Sequence, residues 1–308
     1  MYFVKKKLFI LFFLNIISNS RPIIRGKKFP YDIGYSAIII YPKNGHEQLF
    51  CGGTFISPNI VLVASHCIDE KNMKSVTVYY SHEISIYKSE NKKEYDFNFK
   101  GITFKSHVKK FIKMFEGKFI DPYKHHTDDI GLLFLDKSAL ICSKKKSVMV
   151  ALLPFDIDTG KEYFSSDEIV RSKNMIVTGN GYNEKGEIHN ETRLLIMTKS
   201  PELKKSKYFG GDESYLVYTN LSGLPSISKG DSGSGLVLWK KNFPYIIGVS
   251  FSGSRENEHD YLTNEFVYLL SPKVKKFLID NLKHLNMVNF KEVCRNHFNK
   301  LFSLQTLK

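Results

Sequence analysis

The chain has 308 residues, 42% of them hydrophobic. That is enough apolar material for one large core or two half-size ones, and it excludes a disordered or collagen-like chain. Lysine and arginine exceed aspartate and glutamate by 45 to 31, a net charge of +14, and the absence of any zinc-finger spacing or RNA-binding motif argues against a nucleic-acid partner. The basic residues are scattered, with one dense run at Lys144-Lys145-Lys146. A solvated basic surface is the plain reading, and attraction to acidic polysaccharide or an anionic cell surface is the sharper one.

The chain opens on a basic stretch, Met1–Lys7, followed by the apolar run Leu8–Leu14 and the small residues Ser18-Asn19-Ser20. This pattern predicts a secretory signal peptide over residues 1–20, and hence a secreted, extracellular protein. A membrane anchor is the alternative, but the apolar run is short for a span. No later segment is long and apolar enough to be a transmembrane segment. Short runs rich in β-branched and aromatic residues then follow, separated by Gly, Asn, Pro and Lys. They are Ala37–Tyr41, Ile60–Val63, Val76–Tyr80, Leu132–Leu135, Met175–Thr178, Tyr215–Tyr218, Leu236–Trp239 and Tyr245–Ser250. Many short strands of this kind predict an all-β barrel or sandwich architecture.

Two stretches read differently. Val108, Phe111, Ile112 and Phe115 follow helical spacing with lysines between them. They predict a short surface element packed on a barrel, with a basic membrane-touching helix as the alternative. From Pro272, apolar residues at Val274, Phe277, Leu278, Leu282 and Leu285 mark one face of a helix that starts at proline. Residues 286–308 follow as a C-terminal extension carrying Cys294.

Three segments carry chemistry. Phe50-Cys-Gly-Gly-Thr-Phe-Ile-Ser57 leads to Ala64-Ser-His-Cys67; Asp128-Asp-Ile-Gly-Leu-Leu133 follows; Lys229-Gly-Asp-Ser-Gly-Ser-Gly235 comes last. A serine hydroxyl is a weak nucleophile near neutral pH and needs a base, and the base needs an orienting partner. Each segment alone is weak: His-Cys is usually structural, Gly-Asp-Ser-Gly is often a turn, and Asp-Ile-Gly is often a strand cap. Together, in the order histidine, acid, serine, they resemble the chymotrypsin/trypsin-like serine proteases over roughly residues 23–285. An α/β-hydrolase esterase runs serine, acid, histidine instead.

The resemblance implies an all-β fold of two six-stranded antiparallel β-barrels, joined near residues 140–155, with a C-terminal helix. It implies Ser232 as nucleophile, His66 as general base and Asp129 as its orienting acid. Asp128 is adjacent to Asp129, and strand alternation aims the two side chains oppositely. The backbone N–H groups of Gly230 and Ser232 would form the oxyanion hole, a device worth about 3 kcal/mol per donor. Asp231 would pair with a freed amine at Ile23. Signal peptidase cleavage after Ser20 would leave Arg21-Pro22 as a dipeptide, which an X-Pro dipeptidyl peptidase would remove.

Ser226 would stand at the base of the primary specificity pocket, and Ser250, Phe251 and Ser252 would form the substrate-binding strand. A hydroxyl rather than an acid at Ser226 implies cleavage after apolar or aromatic residues instead of Arg or Lys. Ser228 stands where the family carries a cysteine, so one pocket bridge is missing. The family pairs Cys51 with Cys67, which leaves Cys142 and Cys294 as the second pair. Asn190-Glu-Thr192 and Asn220-Leu-Ser222 are glycosylation acceptors in a secreted chain. His125 and His126 lack ligand-spaced partners and read as loop residues rather than metal ligands, and no cofactor is expected because acyl transfer by the implied route needs none. The implied partners are protein or peptide substrates and protease inhibitors. The alternative to an active endopeptidase is a catalytically silent relative that acts as a binding module.

Overall fold

The computed structural model describes residues 27–28, 34–43, 46–88, 95–114, 128–139, 149–173, 175–181, 193–205, 214–221, 226–241, 243–252 and 261–285. Their strands are β1 (Lys27–Lys28), β2 (Ser36–Lys43), β3 (His46–Ser57), β4 (Ile60–Val63), β5 (Thr77–Lys88), β6 (Tyr95–Lys113) and β7 (Gly131–Leu135) in the first part of the chain. The rest are β8 (Met175–Gly179), β9 (Arg193–Met197), β10 (Glu202–Lys205), β11 (Ser214–Leu221), β12 (Gly235–Lys240), β13 (Phe243–Ser252) and β14 (Tyr261–Tyr268). Each strand-like run of the sequence lies in or across one of these strands. The helices are α1 (Ser166–Arg171) and α2 (Pro272–Leu282).

Six strands close into a barrel in the order β2-β3-β4-β7-β6-β5. The others form one eight-stranded sheet, β1-β9-β8-β12-β13-β14-β11-β10. The expected all-β fold with its first six-stranded barrel is therefore present. The second unit differs in count, because the short flanking strands β1 and β10 extend it to eight. Among the described residues its two end strands do not pair with each other.

β4 explains how the halves are held together. Val61 and Val63 point into the barrel cluster with Ile39, Phe55, Val78 and Leu133. Ile60 and Leu62 point the other way, into a larger cluster that contains Leu236, Ile246 and Val249 of the second sheet. Alternation sends successive side chains to opposite faces. A strand buried on both faces therefore reads as a continuous apolar run. Each fully buried aliphatic side chain contributes about 1.5–3 kcal/mol. The connecting segment bonds to both halves: Ala151 N–H donates to Phe55 O and Leu152 N–H to Pro244 O, each at 2.8 Å.

The stretch with helical spacing is a strand. β6 pairs with β7, and its register shifts between Val108 and Lys110. A bulge adds one residue and reverses the alternation. Val108 and Phe111, three residues apart, thus both reach the barrel cluster, which imitates a helical period. Phe115 lies outside the described residues. In α2, Val274, Leu278 and Leu282 are buried as expected, but the helix ends at Leu282 and Leu285 is exposed beyond it. No helix among the described residues is long and apolar enough to cross a membrane.

Candidate active site

β4 and β7 run antiparallel with Val63 opposite Gly131. The chain leaving β4 is therefore beside the chain entering β7, and the Ala64–Cys67 segment meets Asp128–Ile130. Ser65–Cys67 forms a single 3₁₀ turn, and the Ser65 hydroxyl donates to Ile130 O. Asp129 is wholly buried. One of its oxygens, Oδ1, accepts the His66 backbone N–H at 2.8 Å, and Oδ2 lies 2.6 Å from His66 Nδ1.

An ionised carboxylate only accepts, so Nδ1 is the donor and neutral His66 carries its lone pair on Nε2. Burial pulls the imidazole pKa down. The Asp129 charge and hydrogen bond outweigh that and hold it above the ordinary histidine value. Asp128 turns elsewhere: its Oδ2 accepts Lys273 Nζ from α2 at 2.6 Å. The two adjacent acids, in the turn before β7, thus face different partners, and it is Asp129 that meets the histidine.

Ser232 lies on the loop entering β12. Asp231 N–H donates to Ser228 O at 3.0 Å, closing a turn with Gly230 at its third position. Gly230 has φ of 94°, the conformation a type II turn requires there and glycine supplies without strain. Gly233 N–H donates to Ser250 O at 2.7 Å, and Ser250 N–H donates to Ser234 O at 2.9 Å. These bonds fix the loop to β13. Gly233 also packs so tightly on β3 that a Cβ there would sit 2.2 Å from Gly52 O and 3.3 Å from Ala64 N. Cys67 Sγ lies 3.8 Å from Ser232 O.

The serine loop thus rests directly on the turn that carries His66, along the line where barrel and sheet meet. Ser232 itself is half-buried. The N–H groups of Gly230 and Ser232 have no protein acceptor among the described residues.

The family model described as Trypsin matches residues 26–269, well over half of the chain. The chain belongs to the trypsin family. Membership accounts for the all-β fold and supports a serine protease of that type. In this trypsin-family chain Cys51 and Cys67 are joined by a disulfide, which staples β3 to the His66 turn. The same two sulfurs lie close to His66, but sulfurs joined to each other offer no thiolate for a metal. Cys142, Cys294, Ile23, Asn190, His125 and His126 lie outside the described residues. Asn220 lies in β11, opposite Leu262.

Asp231 is wholly buried. Gly181 N–H donates to its Oδ1 at 2.7 Å, and Oδ2 accepts Ser228 N–H at 2.9 Å and Ser228 Oγ–H at 3.2 Å. Burial pushes the carboxyl up to about 6, against the opposing pull of these hydrogen bonds.

Ser226 is also wholly buried, and its hydroxyl donates to Asn264 Oδ1 at 2.8 Å. The same oxygen accepts Ile227 N–H at 2.7 Å. A backbone N–H can only donate, so this bond fixes which way the amide faces. Ser250 is buried, and Phe251 sits in the large core with its ring edge-on to Tyr215. Ser252 ends β13.

Three contributors escaped the sequence reading. Asn264 lies in the polar Thr263-Asn264-Glu265 stretch of β14 and carries no mark that sets it apart from its neighbours. Gly181 follows a strand and is marked only by the Gly179-Asn180-Gly181 repeat of small turn residues. Ser228 was legible as a missing cysteine and not as a donor.

Proposed function

We propose that this trypsin-family chain is a secreted serine endopeptidase working through His66, Asp129 and Ser232. The observation that carries the reading is the His66–Asp129 pair, with Nδ1 to Oδ2 at 2.6 Å, beside the loop that presents Ser232. The resemblance supplies the roles. As Ser232 Oγ attacks the scissile carbonyl carbon, its proton moves to His66 Nε2. The carbonyl π electrons move onto oxygen, where the N–H groups of Gly230 and Ser232 receive the charge.

Imidazolium, steadied by Asp129, then gives that proton to the leaving nitrogen as the C–N bond breaks and the acyl-enzyme forms. Water, deprotonated by His66, adds to the ester carbonyl and pushes its π electrons onto oxygen; they then re-form the C=O bond as the acyl–Oγ bond breaks, and His66 returns the proton to Ser232 Oγ. No cofactor enters any step.

At the proposed base of the primary pocket, the Ser226 hydroxyl is committed to Asn264 and supplies no negative charge. This supports cleavage after apolar or aromatic residues. Secretion of residues 21–308, loss of Arg21-Pro22, an Ile23 amine reaching Asp231, and glycosylation at Asn190 and Asn220 complete the proposal. A Cys142–Cys294 bridge, protease inhibitors as partners and attraction to acidic polysaccharide also belong to it.

A fluorophosphonate probe tests the core of this reading. Mass spectrometry should find the label on Ser232 and lose it in Ser232→Ala. A secreted protein that stays unlabelled would instead be a silent relative that binds partners. A peptide-library profile tests specificity, and a predominance of cuts after Arg or Lys would overturn the role given to Ser226. N-terminal sequencing of the active form tests maturation: a start at Ile23 supports it and a start at Arg21 rejects it.

A further inference from the structure

Asp231 is anchored by neutral donors. The described residues packed on it are Gly179 and Gly181 at the end of β8 and Ser228 in its own turn, none of them charged. Among the described residues, burial and these hydrogen bonds set its titration; Ile23, whose amine is proposed above as its partner, lies outside them. Lys229, the adjacent charge in sequence, is exposed. A buried ionised carboxylate is expensive unless its oxygens accept hydrogen bonds, with or without the proposed amine beside it.

Two of the three bonds come from Ser228, and both fall on Oδ2. Asp231 answers by donating its own N–H to Ser228 O. The two residues thus close a ring around Lys229 and Gly230. Gly230, two residues before Ser232, is the residue whose N–H has no acceptor among the described residues.

We propose that Ser228 is a positioning residue for acyl transfer: its N–H and hydroxyl clamp Asp231 and so hold the turn that presents the N–H groups of Gly230 and Ser232. The proposal rests on the serine-protease reading and adds to it a residue that has no part in the triad. Donors for a developing oxyanion work only if they are fixed before the charge forms. The clamp fixes them from within the chain. Its strength depends on Asp231 remaining ionised, since hydrogen bonds to a charged acceptor are about twice as strong as neutral ones.

The test is the rate of fluorophosphonate labelling at Ser232 of the secreted protein across pH 5–9, in a double-mutant cycle. Ser228→Ala removes one charge-assisted bond, of a size that changes an equilibrium constant roughly ten- to a hundredfold. Labelling should slow by about that factor at pH 7.5, and loss of the bonds that favour ionised Asp231 should carry the acid limb above the position His66 alone would set. Ser228→Thr keeps a hydroxyl and should restore most of the rate. Ser228→Cys keeps the volume with a weak donor and should behave like alanine, which covers the case of an alanine variant that does not fold.

In an Asp231→Asn background, Ser228→Ala should change the rate less than about twofold, because the charged acceptor is already gone. An equal loss in both backgrounds, or an unmoved acid limb, would overturn the clamp while the native chain still labels. A native chain that never labels would overturn the protease reading first, and the clamp with it.

Discussion

Lys273 Nζ lies 2.6 Å from Asp128 Oδ2, so α2 is tied to the residue immediately before the one that orients His66. The lysine is about half exposed, and solvent screening limits such a pair to about 1 kcal/mol. Lys273→Met should therefore lower Tm by only about 2–4 °C and leave labelling of Ser232 within about threefold. A hundredfold loss of labelling would show that α2 steers the His66–Asp129 pair.

Asp129→Asn should act very differently. It keeps the shape but removes the charge that holds the His66 tautomer, an exchange that costs about four orders of magnitude in kcat in this kind of triad. It also removes what raises the His66 pKa. In the native protein the neutral base predominates only above the raised value, so the acid limb should lie above about 6.5. In the variant it should fall to lower pH, and a pH–rate profile of both proteins decides the matter.

Asp231 makes a prediction about stability. In the chain that still carries Arg21-Pro22, before the proposed Ile23 amine pairs with it, its folded pKa of about 6 lies above the ordinary 3.8, so the folded state binds its proton more tightly than the unfolded chain. Its contribution to stability is complete below about pH 4 and is lost as pH rises through about 6. The gap corresponds to a change on the order of 3 kcal/mol. Urea unfolding at a series of pH values should give Asp231→Asn a flatter pH dependence than native over that window. Equal slopes would mean that the carboxylate does not ionise in a buried site.

The disulfide closes a loop of 16 residues between Cys51 and Cys67. The double variant Cys51→Ala, Cys67→Ala should lose about 3 kcal/mol, or roughly 6–12 °C in Tm for a domain of this size. Calorimetry of native and variant protein measures it. Labelling should fall as well, because the bridge ends in the His66 turn. A variant with native Tm would assign that turn's stability to Ser65 and Ile130 alone.

Much of this site is written in short motifs because its chemistry depends on local pattern. His66 sits three residues after β4 ends and Asp129 two residues before β7 begins, and the ends of apolar strands are easy to see. What escaped lies in longer-range geometry. The β6 bulge changes the phase of a strand through its partner β7, and no window of sequence contains that partner. The helix end at Leu282 rather than Leu285 lies where burial stops, not where spacing does. Ser228 matters through a residue three places later that must first be buried, and Asn264 through a serine 38 places earlier in the chain.

The shared cluster between barrel and sheet has one more consequence. Leu62 and Leu132 from one half, and Leu236 and Val249 from the other, belong to a single apolar body. Neither half can come apart without stripping the other. Heating should therefore give one calorimetric transition, with loss of probe labelling at the same midpoint, and a fragment cut in the connecting segment should fail to remain folded alone.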